Sequence, residues 1–272
     1  MKIDTRSRKR PRLNWFDTFS VATKPRDMPG TWKQITIAGK QADVFEPTEV
    51  GQTQAGVLHL HGHGLTTLRD NPAFTRELER HGLPTICPHG QRSWWTETIC
   101  SEFDAEMSPL QYLQEHVIPA FDEFWGIRPP LVGLMGISMG GQGAFQLGFR
   151  RPRDFPVVAA LAPAVDFHNW HGQGLPLDEM FPDKESARQA TATLQLRSMS
   201  APRHQLLVCD PTDQEWFEGA ERLASKMYAS GIPYECDFTT SHGGHSWDYF
   251  DYMAERVVGF VAERLEQESR RA

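Results

Sequence analysis

The stretch from Leu131 to Arg151 constrains this chain more than any other. Leu131–Ile137 is an apolar run of the buried-strand type, and Met139–Arg151 reads as a helix rich in small residues. Between them lies Gly136-Ile137-Ser138-Met139-Gly140, a G-x-S-x-G turn. A serine placed there sits on a sharp, strained strand-to-helix turn, with its hydroxyl above the end of a sheet. Glycines flank it because a side chain at either position would meet neighbouring backbone. The helix that follows aims its first amides at the same spot and favours negative charge there.

The rest of the pattern supplies a sheet to carry such a turn. Gln34–Ile37 and Ala42–Phe45 read as a hairpin closed by Ala38-Gly39-Lys40. Gly56–His61, Leu83–Cys87, Val157–Leu161, Gln205–Cys209 and Tyr234–Phe238 read as further strands. Helices are predicted over 72–80, over 108–125 with a kink at Pro119, over 216–230 and over 246–268. Strand and helix alternate after the hairpin. That order predicts the α/β class, with a mostly parallel central sheet, helices on both faces and an N-terminal antiparallel hairpin. Ligand-binding loops then lie at the carboxyl ends of the strands. Residues 31–272 read as a single α/β domain, and residues 1–30 as a basic, polar extension that Trp15, Phe16 and Phe19 could dock onto the domain. Within the domain, 163–203 reads as an insertion of two short helices, either a small lid or an ordinary crossover. Residues 88–107 form a long connection of the kind that often carries function.

Composition excludes several classes of function. With 272 residues and 39% hydrophobic content the chain can build a sizeable core. Its apolar runs are far shorter than a membrane helix requires. The net charge of −7 argues against nucleic acid, and the basic run Ser7–Arg12 reads as a solvated tail. The four cysteines, Cys87, Cys100, Cys209 and Cys236, lack metal or redox spacing. No apolar segment follows the basic N-terminus, so a cytoplasmic location is expected.

A serine hydroxyl is a weak nucleophile and needs a base. Ser241-His242-Gly243-Gly244-His245-Ser246-Trp247 follows the last predicted strand, where a base belongs in this architecture. His245, which two glycines can bend back over the sheet, is preferred to His242. The base needs a carboxylate, and Cys209-Asp210-Pro211-Thr212-Asp213 ends the preceding strand. Asp213, further into the loop, is preferred to Asp210 and to Asp166. The chain order Ser138, Asp213, His245 is that of an α/β-hydrolase, and the chemistry is nucleophilic acyl transfer. The amide of Met139 is one expected oxyanion donor. The second is expected from the loop His61-Gly62-His63-Gly64-Leu65, with His63 preferred and Leu65 its rival.

Three motifs resemble the putative-esterase branch of the α/β-hydrolases: GISMGGQG at 136–143, GGHSW at 243–247, and the stretch from Val208 through Gly231-Ile232-Pro233. That branch includes esterase D, also called S-formylglutathione hydrolase, feruloyl and acetyl esterases, and mycolyltransferase-type acyltransferases. The likeness spans roughly residues 34–265. It implies the roles given above for Ser138, Asp213 and His245, a small-molecule ester as substrate, and no metal or organic cofactor. The chain departs from the branch in its His-Gly-His-Gly oxyanion loop and in 88–107, where no glutathione-thioester site is found.

Other features admit two readings. Trp94, Trp95 and His61 are candidate walls of the substrate pocket, or core. His59, His61 and His63 alternate and could mark metal ligands, but Gly62 and Gly64 break the strand and the Asp-His of metallohydrolases does not follow. Trp247 reads as packing or as a substrate contact. The rival functions are an acyltransferase passing the group to a sugar or lipid hydroxyl, a silent hydrolase-fold binding protein, a metallohydrolase and a peptidase.

Overall fold

A computed structural model describes residues 30–271. The basic run and Trp15, Phe16 and Phe19 lie outside the described residues. Eight strands form one sheet: β1 (Thr31–Ile37), β2 (Lys40–Glu46), β3 (Gly56–Leu60), β4 (Thr85–Pro88), β5 (Val132–Ile137), β6 (Val157–Leu161), β7 (His204–Val208) and β8 (Glu235–Asp237). Their order is β1-β2-β4-β3-β5-β6-β7-β8. β1 pairs antiparallel with β2, and β2 antiparallel with β4. From β4 onward every pair is parallel. The fold is therefore the expected α/β architecture.

The central strands alternate strictly, as two-sided burial demands. In β6, Val158 and Ala160 face one core while Val157, Ala159 and Leu161 face the other. One core packs under α1 (Pro72–Arg80) and the long α9 (Trp247–Ser269). The opposite core packs under α2 (Pro109–Tyr112), α3 (Ile118–Trp125), α4 (Met139–Arg150) and Leu223 and Met227 of α8 (Phe217–Ala229). Between α2 and α3, residues Leu113–Val117 form a π-helical turn just before Pro119. The wider turn absorbs the proline, whose missing N–H and ring a regular helix would not accommodate.

The segment 163–203 departs from the expected two helices. It holds a 3₁₀ turn at Phe167–Trp170 and three short helices, α5 (Leu177–Met180), α6 (Lys184–Gln189) and α7 (Ala192–Gln195). Among the described residues no helix is long and apolar enough to cross a membrane.

Candidate active site

Ser138 follows β5 directly and opens α4. Its φ of 55° and ψ of −117° lie where a residue with a side chain is strained, at a cost of about 1–3 kcal/mol. The surroundings enforce the turn. The Ser138 amide donates to the Leu161 carbonyl at 2.9 Å, and the Ser138 carbonyl accepts from Ala164 at 2.9 Å and Gln142 at 3.1 Å. A Cβ on Gly136 would stand 2.1 Å from the Gly140 carbonyl oxygen, and one on Gly140 would stand 1.8 Å from that of Leu60. The flanking glycines are thus sterically required, and Ser138, 7% exposed, stands at the carboxyl end of the central strand β5.

The loop after β8 returns to this point. Gly243 and Gly244, at φ 94° and 69°, make the bend. His245 Nε2 lies 3.1 Å from Ser138 Oγ, and Nδ1 lies 2.7 Å from Asp213 Oδ2. An ionised Asp213 can only accept, so the proton belongs on Nδ1 and Nε2 is left to accept from the serine. Burial alone would raise the Asp213 pKa. The hydrogen bond and charge of His245, with the amides of Trp216 and Glu215 on Oδ1, instead hold it below the ordinary carboxylate value.

Asp210, the rival aspartate, sits elsewhere in the same network. Its Oδ2 accepts from the amides of His242 at 2.5 Å and Gly244 at 2.9 Å. Its Oδ1 accepts from the Thr212 amide and hydroxyl and from the Ser241 hydroxyl. Burial opposes its charge, but these donors prevail and depress its pKa strongly. It grips the backbone that carries His245 and does not touch the ring. The sequence could suggest only a local turn, because the partners lie about thirty residues away. Asp166 is remote from this network and pairs with Arg222. The ring of His242 stacks on Tyr252.

The loop from His61 to Leu65 passes against the nucleophile turn. A Cβ on Gly62 would stand 3.3 Å from the Ser138 Cβ. The Leu65 amide is taken by the Gly62 carbonyl at 3.1 Å, which leaves the rival donor occupied. The Met139 amide opens α4 and belongs to the first turn, which has no acceptor within the helix. Among the described residues the His63 amide meets no protein acceptor.

His61, Trp94 and Trp95 are not on the cavity wall, contrary to expectation. His61 is 1% exposed and both its nitrogens are used: Nδ1 donates to the Gly62 carbonyl and Nε2 accepts from the Gly90 amide. Burial lowers its pKa to about 4, so the ring is neutral. Trp95 is fully buried behind the loop, donating from Nε1 to the His61 carbonyl at 3.1 Å and filling the space left by Gly90 and Gly143. Trp94, also fully buried, stacks on Phe167 and backs Trp170 and Trp216. The three residues shape the site from a layer behind it. His59 is buried with both nitrogens unpartnered, and burial lowers its pKa to about 3. The three alternating histidines thus separate into core, loop support and cavity wall. Among the described residues no three His, Cys, Asp or Glu side chains are grouped to hold a metal.

The cavity in front of Ser138 and His245 encloses about 300 Å³. Its aromatic wall comes from Trp170 in the 163–203 segment, Trp216 before α8, and Trp247 and Phe250 at the start of α9. His63, Thr66, Glu215 and Ser246 also line it. Trp216 and Glu215 escaped the sequence reading because a tryptophan at a helix start reads as core and a loop glutamate as solvated. Their proximity to Asp213 was the available signal.

The family described as "Putative esterase" matches residues 63–254, well over half of the chain. No curated protein sequence gives a significant match. Among solved structures, an S-formylglutathione hydrolase from Agrobacterium tumefaciens superposes with a TM-score of 0.71 at 17% identity, covering 90% of this chain and 99% of that one. A fluorophosphonate-binding serine hydrolase of Staphylococcus aureus gives 0.67 at 16% identity, covering 86% and 99%. A ferulic acid esterase from the anaerobic fungus Anaeromyces mucronatus gives 0.63 at 16% identity, covering 88% and 95%. At such identities the structural likeness speaks for the fold, while the family match speaks for the lineage. The chain belongs to the putative-esterase family of the α/β-hydrolases, as a carboxylic ester hydrolase.

Proposed function

We propose that the chain hydrolyses a small-molecule carboxylic ester through Ser138, His245 and Asp213 and an acyl-enzyme intermediate. The observation that carries this reading is the single imidazole bridging Ser138 Oγ at 3.1 Å and Asp213 Oδ2 at 2.7 Å on a strained turn. His245 Nε2 takes the hydroxyl proton as Oγ bonds to the ester carbonyl carbon. The carbonyl electrons collect on oxygen, which the amides of Met139 and His63 stabilise. Collapse breaks the bond to the alcohol, and His245 returns the proton to the departing oxygen. Water then repeats the sequence on the acyl-enzyme. Asp213 holds the tautomer and offsets the imidazolium charge.

Hydrolysis is favoured over transfer to a second hydroxyl because the base is open to water, with the His245 side chain 27% exposed. In the same reading 31–272 works as one hydrolase domain, with Trp170 of the 163–203 segment as one wall of the site. All four cysteines are free, which fits a reducing compartment.

The test is hydrolysis of p-nitrophenyl acetate alongside labelling by a fluorophosphonate. Wild type is expected to show both. Ser138→Ala is expected to lose the label and about 10⁵–10⁶-fold in kcat, and adding His245→Ala is expected to cost little more, because such groups act as a unit. Labelling at another residue, or retained turnover in Ser138→Ala, overturns the reading.

A further inference from the structure

One acidic residue, Glu215, is among the residues that line the cavity, in an aromatic setting. Trp170, Trp216, Trp247 and Phe250 line it together with Glu215, and among the described residues no Lys or Arg side chain does. The nearby cations are already committed. Arg222 on α8 pairs with Asp166 and Glu218, and Arg92, whose charge reaches His63, pairs with Glu102. Glu215 has no ion-pair partner among the described residues and is exposed to solvent. Its amide donates to Asp213 Oδ1 at 3.0 Å, so the residue is tied to the loop that holds the base.

We infer that this site selects esters bearing a cationic, ammonium-type group, which the aromatic wall and Glu215 receive while the ester carbonyl lies at Ser138. The claim rests on Ser138 being the nucleophile. Its physical ground is that aromatic faces carry negative potential and attract a desolvated cation. A carboxylate on the same wall adds to that attraction. A neutral aryl or sugar group could use the rings but would gain nothing from Glu215. An anionic group would meet Glu215, with no Lys or Arg on the wall to balance it. The chain's net charge of −7 points the long-range field the same way.

The experiment is competition against p-nitrophenyl acetate by choline and by its uncharged isostere, 3,3-dimethylbutanol. Choline is expected to inhibit at about tenfold lower concentration than the isostere. The preference is expected to shrink several-fold in Glu215→Gln, to survive in Glu215→Asp, and to weaken with added salt. Equal inhibition by the two compounds, in an enzyme that hydrolyses p-nitrophenyl acetate, overturns the inference and leaves the esterase reading standing. If the neutral ester is not turned over and Ser138 takes no fluorophosphonate, the esterase reading fails. The inference is then judged by tryptophan fluorescence: no quenching by choline in excess of that by the isostere overturns it as well.

Discussion

The nucleophile turn and the histidine loop hold opposite ends of one hydrogen bond, and they are built on different principles. The turn at Ser138 is made by backbone. Two glycines packed against carbonyls within about 2 Å of a missing Cβ leave the chain one path, and strand and helix follow without a spare residue. The loop at His245 has no such template. It is bent by Gly243 and Gly244, and its amides at His242 and Gly244 are gripped by Asp210, which reaches across from the end of β7. One region is specified by local sterics and the other by long-range polar contacts.

The same contrast governs what could be read from the sequence. The strand–turn–helix around Ser138 is legible because its causes lie within a dozen residues, and so is the alternating order that makes the sheet. For the base and its acid the sequence offered two imidazoles and three aspartates, ranked only by the two glycines before His245 and by how far Asp213 lies into its loop. The structure places Asp213 on the ring and Asp210 on the backbone, a division made by partners thirty residues distant. Trp94 and Trp95 drew attention because they sit in a long loop. That loop folds back under the site, and both residues adopt positive φ to bring their rings into the core. The 163–203 segment lacks a clear period, so its several short turns could not be counted in advance.

The largest test of the comparison is Asp213→Asn. The amide can donate to Nδ1, which reverses the tautomer and removes the acceptor that Ser138 needs. A loss of about 10⁴-fold in kcat is expected with the fold intact, read from p-nitrophenyl acetate turnover together with the melting curve. A loss below tenfold would show that the carboxylate does not orient the base.

Next comes Gly140→Ala, which attacks the turn by sterics alone. A methyl group 1.8 Å from the Leu60 carbonyl forces β3 and α4 apart, and a loss of about 3 kcal/mol of stability is expected. Activity and denaturant midpoint should fall together. An unaltered midpoint would mean that the turn is more adjustable than its packing indicates.

Asp210→Asn separates the two regions most directly. It frees the histidine loop without touching any atom of Ser138, His245 or Asp213. Displacement of the base by a fraction of an ångström to one ångström is expected to lower kcat by about 10–100-fold, with a smaller change in KM because the His63, Trp170 and Trp216 side of the cavity is not carried by this loop. Fluorophosphonate labelling should slow by a similar factor. A melting point lowered with kcat unchanged would reduce Asp210 to a purely structural residue.

The smallest effect is the pH dependence of that same substitution. Burial works to raise the Asp210 pKa, but three amides and two hydroxyls outweigh it, so the folded value lies well below the ordinary 3.9 of an unfolded aspartate. A carboxyl group depressed in this way contributes stability above the unfolded pKa and loses it as pH falls toward the folded one. Wild type should therefore exceed Asp210→Asn by about 1.5–3 kcal/mol, the worth of charge-assisted hydrogen bonds, and the gap should stay constant from neutral pH down to about 5. Below about pH 4 it should narrow, because Asp210 of the unfolded wild-type chain begins to take up a proton while the folded carboxylate stays ionised, an uptake that the amide cannot make. Asp213 also has a depressed pKa, but it is present in both proteins and cancels from the difference to first order. Urea unfolding at pH 7, 5, 4 and 3 measures the gap. A gap that stays flat through pH 3 would mean that the loop is held by shape, as the nucleophile turn is, and the contrast between the two regions would disappear.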